Sequence, residues 1–189
     1  MNENVEKELN AHIWKRENND HYVEPEWCSI RLFEEEEFCY SIYDPACGFG
    51  NILKSAQARG LQILGSDVVY RSNYCVAIRN FLDGDDWKYN NIVTNPPFNL
   101  AYSFAFEALR ISTLKVAMIF PVARLNAARW LEGTPLKRIW LLTPRPSMPP
   151  GDIIAKGEKP TGGKVDFCWL VWDKIHSGNT EIKWLKRDK

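Results

Sequence analysis

The stretch Ile92-Val93-Thr94-Asn95-Pro96-Pro97-Phe98-Asn99 begins as a buried strand and leaves its sheet through an amide, two prolines and an aromatic ring. An ordinary strand exit needs only a turn, which Gly or Asp supplies. The Asn95 carboxamide oxygen can accept a hydrogen bond from an amino group. Pro96 has no N–H, and its fixed ring holds the carbonyl in one direction. Pro97 adds a second rigid residue, and Phe98 offers a flat face for stacking. Together Asn95, Pro96, Pro97 and Phe98 make a clamp for a planar ring that carries an exocyclic amine. Two acceptors on one amine orient it and help expose nitrogen lone-pair density to an electrophile. A tight turn covered by a core phenylalanine explains the prolines and the ring but explains the asparagine poorly.

Two earlier strand exits carry related signals. Asp44-Pro45-Ala46-Cys47-Gly48-Phe49-Gly50 ends a short strand in a glycine turn. Gly48 and Gly50 let backbone approach a ligand closely. The helix that follows is expected to leave free N–H groups facing the crevice. Glycine turns between strand and helix are common, so the motif alone is equally a plain loop. It is neither GxGxxG nor a P-loop, since the Walker lysine is missing. One unit later, Gly65-Ser66-Asp67-Val68 places an acid at the end of the second strand. There a carboxylate can take both ribose hydroxyls of an adenosine-type cofactor. Its bland role would be to cap the next segment.

The elements that must position these exits follow from the pattern. His21–Pro25 reads as extended and 26–37 as a helix, with Pro25 in its first turn. Strands are expected at 61–69, 90–97, 115–121, 138–144 and 165–173, and 41–50 reads as a short strand entering a glycine turn. Helices are expected at 51–59, 100–112 and 123–132, with a weaker one at 74–82. Alternating βαβ units predict an α/β fold with a mainly parallel central sheet and helices on both faces. Ligands in such folds bind beyond the C-terminal strand ends near the topological switch point. Residues 1–20 read as a polar arm, 21–175 as the domain, 146–164 as a mobile loop, and 176–189 as a basic tail.

Composition narrows the function classes. The chain has 189 residues, 45% hydrophobic and 25% charged, with formal net charge zero. That size suits one domain with a full core. The neutral balance argues against tight non-specific nucleic-acid binding, which rests on Lys/Arg–phosphate contacts, but leaves room for a local basic face. Five cysteines without a CxxC pair and three scattered histidines point to a reducing, cytoplasmic setting without zinc or another metal centre. No apolar run approaches the roughly 20 residues of a membrane span, and the polar N-terminus is no secretory signal. Most of the eight Trp are expected as core or interface anchors.

In this order the three exits resemble S-adenosylmethionine-dependent amino-methyltransferases. DPACGFG resembles their cofactor motif, and NPPF resembles the catalytic motif of enzymes that methylate exocyclic amines, adenine N6 in preference to cytosine N4. HYVEPEW is similar to the short cofactor segment often written Y-x-T-P-x-W. IVTNPPFNLAYSFAFEAL, VAMIFPVARL, TPRPSM and CWLVWD together resemble the phage-type DNA N6-adenine methyltransferases, over residues 21–173. The resemblance implies a Rossmann-like class I methyltransferase fold that uses S-adenosylmethionine and acts on DNA.

It further implies that Tyr22, Pro25, Asp44, Pro45, Ala46, Cys47, Gly48 and Gly50 border the cofactor. Asp67 with Val68 would hold the ribose, and Asn80 with Phe81 the adenine. The target adenine would be flipped out of the duplex, clamped by Asn95 and Pro96, and stacked on Phe98. Methyl transfer is direct, so Cys47 need not be a nucleophile. Arg145, Lys156 and Lys164 are candidate contacts to the target strand, with Lys159 in the same loop and Arg124 and Arg129 as weaker candidates. A second copy of the chain is a candidate partner that would enlarge the DNA footprint.

Two positions depart from the pattern. Glu24 stands where the family often has Thr, and Asn80 stands at a common Asp position, with Asp83, Asp85 and Asp86 nearby. The same motifs admit RNA adenine, a glutamine side chain in a release factor, or an inactive partner subunit as alternatives.

Overall fold

The computed structural model describes residues 21–84, 86–157 and 162–188. The expected arm at 1–20, Asp85 and Lys159 lie outside the described residues. Among the described residues, eight strands form one sheet in the order β3-β2-β1-β4-β5-β7-β6-β8. The strands are β1 (Ser41–Asp44), β2 (Gln62–Asp67), β3 (Ala77–Ile78), β4 (Tyr89–Thr94), β5 (Ser112–Pro121), β6 (Leu136–Thr143), β7 (Phe167–Asp173) and β8 (Glu181–Lys186). Only β7 runs antiparallel to its neighbours, β5 and β6. The remaining pairs are parallel.

Helices cover both faces, because a parallel sheet has no face it can leave to water. One face carries α1 (Glu26–Glu35) and α2 (Asn51–Gln57). There Leu32, Ile52, Leu53 and Ala56 pack on Ile42, Val93, Ile119 and Trp169. The other carries α3 (Ala101–Ile111), whose Phe104, Ala105, Ala108 and Ile111 pack on Ile92, Val116, Met118 and Leu170. Successive residues of β4, Ile92 and Val93, therefore serve opposite cores, as the two-residue strand period requires.

Several expected elements take a different form. The weak helix at 74–82 is instead the edge strand β3 and a 3₁₀ turn at Phe81–Asp83. Val76 and Ile78 are β-branched and favour the strand. The helix expected at 123–132 is two 3₁₀ segments, Val122–Ala127 and Arg129–Leu131. The loop 146–164 contains a short helix, α4 (Gly151–Ala155). Val23 N–H donates to the Pro149 carbonyl at 2.9 Å, and Gly151 N–H to the His21 carbonyl at 3.0 Å. This part of the loop is thus tied to the N-terminal strap 21–24. The expected basic tail supplies β8, which pairs with β6 along its whole length. No helix among the described residues is long and apolar enough to cross a membrane.

A buried carboxylate fixes α1 to the sheet. Glu36 is 3% exposed. It accepts from Trp140 Nε1 at 3.0 Å, pairs with Lys115 at 3.4 Å, and contacts the Arg138 guanidinium. Removing one partner of such a pair leaves the others desolvated and unsatisfied. Glu36→Ala is expected to cost about 2–3 kcal/mol, read as a lower urea midpoint at unchanged slope.

Candidate active site

The sheet reverses its order between β1 and β4, since β2 lies outward on one side and β5 on the other. The exits of β1 and β4 therefore stand side by side, and a cavity of about 270 Å³ opens above them. Its lining includes the expected residues Tyr22, Asp44, Pro45, Ala46, Cys47, Gly48, Asp67, Val68, Asn80, Phe81, Asn95 and Pro97. Residues from five separate segments of chain are thus gathered at one place. Pro25, Gly50, Pro96 and Phe98 are not part of the lining. Pro25 caps α1, and Gly50, at φ +86°, caps α2 from behind the turn.

The Asn95 side chain is held by the strap. Its Nδ2 donates to the Tyr22 carbonyl at 2.8 Å and to Glu24 Oε2 at 2.9 Å. The Tyr22 carbonyl can only accept, so the amide nitrogen must be the end that faces it. The oxygen is left as an acceptor for something else. Arg124, a candidate for gripping a target strand, instead donates to the Phe98 carbonyl at 2.7 Å and braces the motif from below.

Phe98 departs from the expected stacking role. It is 8% exposed. Tyr22 lies parallel to it with centroids 6.0 Å apart, and Phe167 packs at 5.4 Å. Tyr22, not Phe98, borders the cavity, so a base reaches the Phe98 face only if Tyr22 moves.

The free N–H groups are expected at the start of α2; within the glycine turn itself four N–H groups are taken up inside the protein. Ala46 N–H donates to Asp44 Oδ1, Gly48 N–H to Asp67 Oδ2, and those of Cys47 and Gly50 to the Ser66 and Cys47 carbonyls. A tight turn satisfies its own donors once a neighbouring strand end supplies acceptors.

Asp67 takes the capping role and stands where the other role would be exercised. It caps the next segment through Val69 N–H at 3.1 Å, and it faces the cavity. Arg71 pairs with it at 2.9 Å. Of its four lone-pair directions, Gly48, Val69 and Arg71 take three. Asn80 accepts from Leu82 N–H at 3.2 Å and donates to Asp83 Oδ1 at 2.8 Å, which ties Asp83 to the same corner.

Electrostatics set the site apart from the rest of the molecule. Burial raises the Asp44 carboxyl well above the usual range, and Glu24 and Asp67 push it further. The Thr94 hydroxyl and Ala46 N–H oppose the rise, although Thr94 Oγ1 closes no well-formed hydrogen bond. Burial also raises Glu24 to about 7, opposed by the Asn95 hydrogen bond. The Cys47 thiol is raised by burial and by Asp44, so it stays protonated and fits packing, not nucleophilic attack.

His21, which no sequence signal marked, lines the same cavity. Burial and Arg71 lower it to about 4 against the pull of Asp67. Its ring is wedged between two glycines. A Cβ on Gly48 would lie 2.6 Å from Nε2, and one on Gly151 would lie 2.1 Å from Nδ1.

The proposed strand contacts stand apart from the cavity. Arg145 is exposed and pairs with Asp166 at 2.6 Å. Lys156 pairs with Asp152 at 3.4 Å. Lys164 and Arg129 are exposed, and neither borders the cavity. Among the described residues, no group of three or more His, Cys, Asp or Glu could hold a metal ion.

No protein-family model and no curated protein sequence matches the chain. Solved structures do. A Vibrio vulnificus YJ016 protein, assigned as the modification subunit of a type I restriction enzyme, matches at 19% identity with a TM-score of 0.56. The match covers 88% of this chain and 47% of that one, so this chain spans about half the length of that relative. A Pyrococcus horikoshii protein, assigned as an RNA methyltransferase, matches at 14% identity and a TM-score of 0.56, over 79% of this chain and 82% of that one. Magnesium protoporphyrin IX methyltransferase from Synechocystis, solved with bound S-adenosylmethionine, matches at 13% identity and a TM-score of 0.51, over 78% and 74%. At these identities the likeness is one of fold: the chain has the Rossmann-like fold of S-adenosylmethionine-dependent methyltransferases.

Gly48→Ala tests the wedge. At φ +50° a side chain is strained, and the new Cβ meets the His21 ring. The expected loss is about 1–3 kcal/mol, read by thermal unfolding. Ala at Gly60, where nothing lies within 4 Å despite φ +75°, is expected to cost less.

Proposed function

We propose that the protein is an S-adenosylmethionine-dependent methyltransferase that acts on the exocyclic N6 amine of adenine in DNA. The orientation of Asn95 carries this reading. Its two N–H groups are spent on the Tyr22 carbonyl and Glu24, which reserves its oxygen for an incoming amine at the edge of an acid-lined cavity.

The cavity residues suit the cofactor. Phe81 and Phe104 supply an apolar wall, and Asn80 with Asp83 supplies polar groups beside it for the adenine end. Asp67 has one lone-pair direction open toward a ribose hydroxyl, and a second opens if Arg71 swings away. Asp44 is a buried carboxyl whose charged form has no cation beside it among the described residues. A ligand with ammonium and sulfonium groups would supply one. When bound, S-adenosylmethionine contributes an electrophilic methyl group. The chain contributes placement: Asn95 accepts from the target amine, Pro96 directs its carbonyl to the same amine, and Tyr22 bounds the space where the ring must lie. The amine would form its N–CH3 bond as the sulfonium S–CH3 bond breaks, leaving a neutral thioether, and the displaced N–H proton would pass to solvent. Positioning of this kind accounts for a large part of the barrier reduction in group transfer.

The DNA assignment rests on the NPPF pattern, the flanking resemblance to phage-type enzymes, and the fold likeness to a protein assigned as a restriction modification subunit. RNA adenine is the second reading, because a protein assigned as an RNA methyltransferase matches the fold with an equal TM-score.

Two measurements test the proposal. Calorimetry is expected to find S-adenosylmethionine binding that Asp67→Ala weakens by at least roughly tenfold, the loss of a charge-assisted hydrogen bond. Tritiated cofactor with unmethylated duplex DNA is expected to label N6-methyladenine. Asn95→Ala should cut that label by about 100-fold or more while cofactor affinity stays within a few-fold. Cofactor binding without label in DNA would overturn the DNA reading, and the same assay on RNA would then decide the second one.

A further inference from the structure

We infer that Glu24 is a positioning residue: its carboxylate holds the Asn95 amide in the one orientation that offers an oxygen, not an amine, to the target. The inference deepens the methyltransferase reading and depends on it for its functional consequence, but the contact itself does not.

An asparagine amide has nearly the same shape in its two flipped forms, so shape cannot choose between them. The choice falls to the partners. The Tyr22 carbonyl accepts from one N–H at 2.8 Å and Glu24 Oε2 from the other at 2.9 Å. A backbone carbonyl can never donate. A carboxyl group can, once it is protonated. Glu24 is thus the partner whose state decides how firmly the amide is held. It has few routes of escape, being 7% exposed. Its own carbonyl accepts from Asn51 Nδ2 at 2.8 Å, which anchors the strap to the first turn of α2.

The surroundings make the carboxyl responsive to pH. Asp44 faces Glu24 from the exit of β1 and opposes its charge, as does the Cys28 thiol on α1 if ionised. Across the cavity stand Asp67 with Arg71 on the β2 exit and His21 on the strap itself, whose ring burial keeps neutral near pH 7. Burial leaves Glu24 to titrate near 7. Below that pH the neutral carboxyl accepts more weakly, and the Tyr22 carbonyl, which a flipped amide would meet oxygen to oxygen, is left as the main hold on the amide. The amide is then less firmly fixed, and its oxygen is less steadily offered to the target amine. Above it the carboxylate takes up its hydrogen bond in full. Methyl transfer is therefore expected to rise with pH through about 7.

The test pairs a spectroscopic readout with a kinetic one, in wild-type protein, Glu24→Gln and Glu24→Ala. The side-chain 15N–H2 resonances of Asn95 are identified by their loss in Asn95→Ala. In wild type they are expected to shift between pH 5.5 and 8.5 with a midpoint near 7. In Glu24→Gln, whose amide oxygen still accepts but does not titrate, they should stay fixed. In methyl transfer, Glu24→Ala should lower kcat by roughly 10- to 100-fold, the usual scale for an outer partner of a reacting group, with cofactor affinity changed less than about threefold. Glu24→Gln should recover most of kcat and lose the acid limb of the wild-type profile.

Asn95 resonances that do not titrate in wild type, or that titrate unchanged in Glu24→Gln, would overturn the inference whatever the substrate is. So would a Glu24→Ala variant that keeps kcat, or one whose loss lies wholly in cofactor affinity. Titrating resonances in a protein that transfers no methyl group would leave the Glu24–Asn95 contact standing and reject the methyltransferase reading instead.

Discussion

The parallel pairing of β1 with β4, Ile42 beside Asn91 and Tyr43 beside Ile92, is the constraint on which the site depends. Two strands far apart in the chain meet there with their C-terminal ends level, and the sheet grows outward on both sides. Nothing fills the space above a switch point, because the connecting segments leave in opposite directions. Asp44 and Asn95 stand at the mouths of those two strands. Every other contribution to the cavity is arranged around that pair.

The strap 21–24 closes what the sheet leaves open. It is short, yet it bonds in several directions: to the Asn95 amide, to Asn51 at the start of α2, and to Pro149 and Gly151 of the following loop. His21 seats between two glycines, and Tyr22 lies flat on Phe98. The glycine turn, the NPPF motif and the late loop thus form one connected body through residues that read in the sequence as a short extended segment. The same strap makes the Phe98 ring part of the core and presents Tyr22 in its place.

Carboxyl groups gather around the cavity. Asp44, Asp67 and Glu24 all border it, and Arg71 is the neighbouring cation that pairs with one of them. Burial raises Asp44 and Glu24, a pattern found at functional sites. Elsewhere buried charge is fully matched, as at Glu36 with Arg138, Lys115 and Trp140. The contrast separates a carboxylate that holds the fold together from carboxyls that line a cavity.

What the sequence determined by itself was local. Alternating strand and helix patterns implied the α/β fold with a mainly parallel sheet, and the residue types at three strand exits implied an amine clamp beside a glycine turn and an acid. These are short-range signals, since a strand and the turn that ends it are written in consecutive residues. Tertiary structure decided the rest. The arginine partner of Asp67 and the pairing of β8 with β6 depend on how folded segments lie against one another. So do the wedge of His21 and the burial of Phe98 under Tyr22. The carboxylate at position 24 shows the difference most clearly. In the sequence Glu24 is a departure from a pattern, separated by a long stretch of chain from Asn95. In the fold it sits 2.9 Å from the Asn95 amide and fixes which atom that amide offers. Hydrogen-bond direction is a property of two groups in contact, and only the packed chain brings these two together.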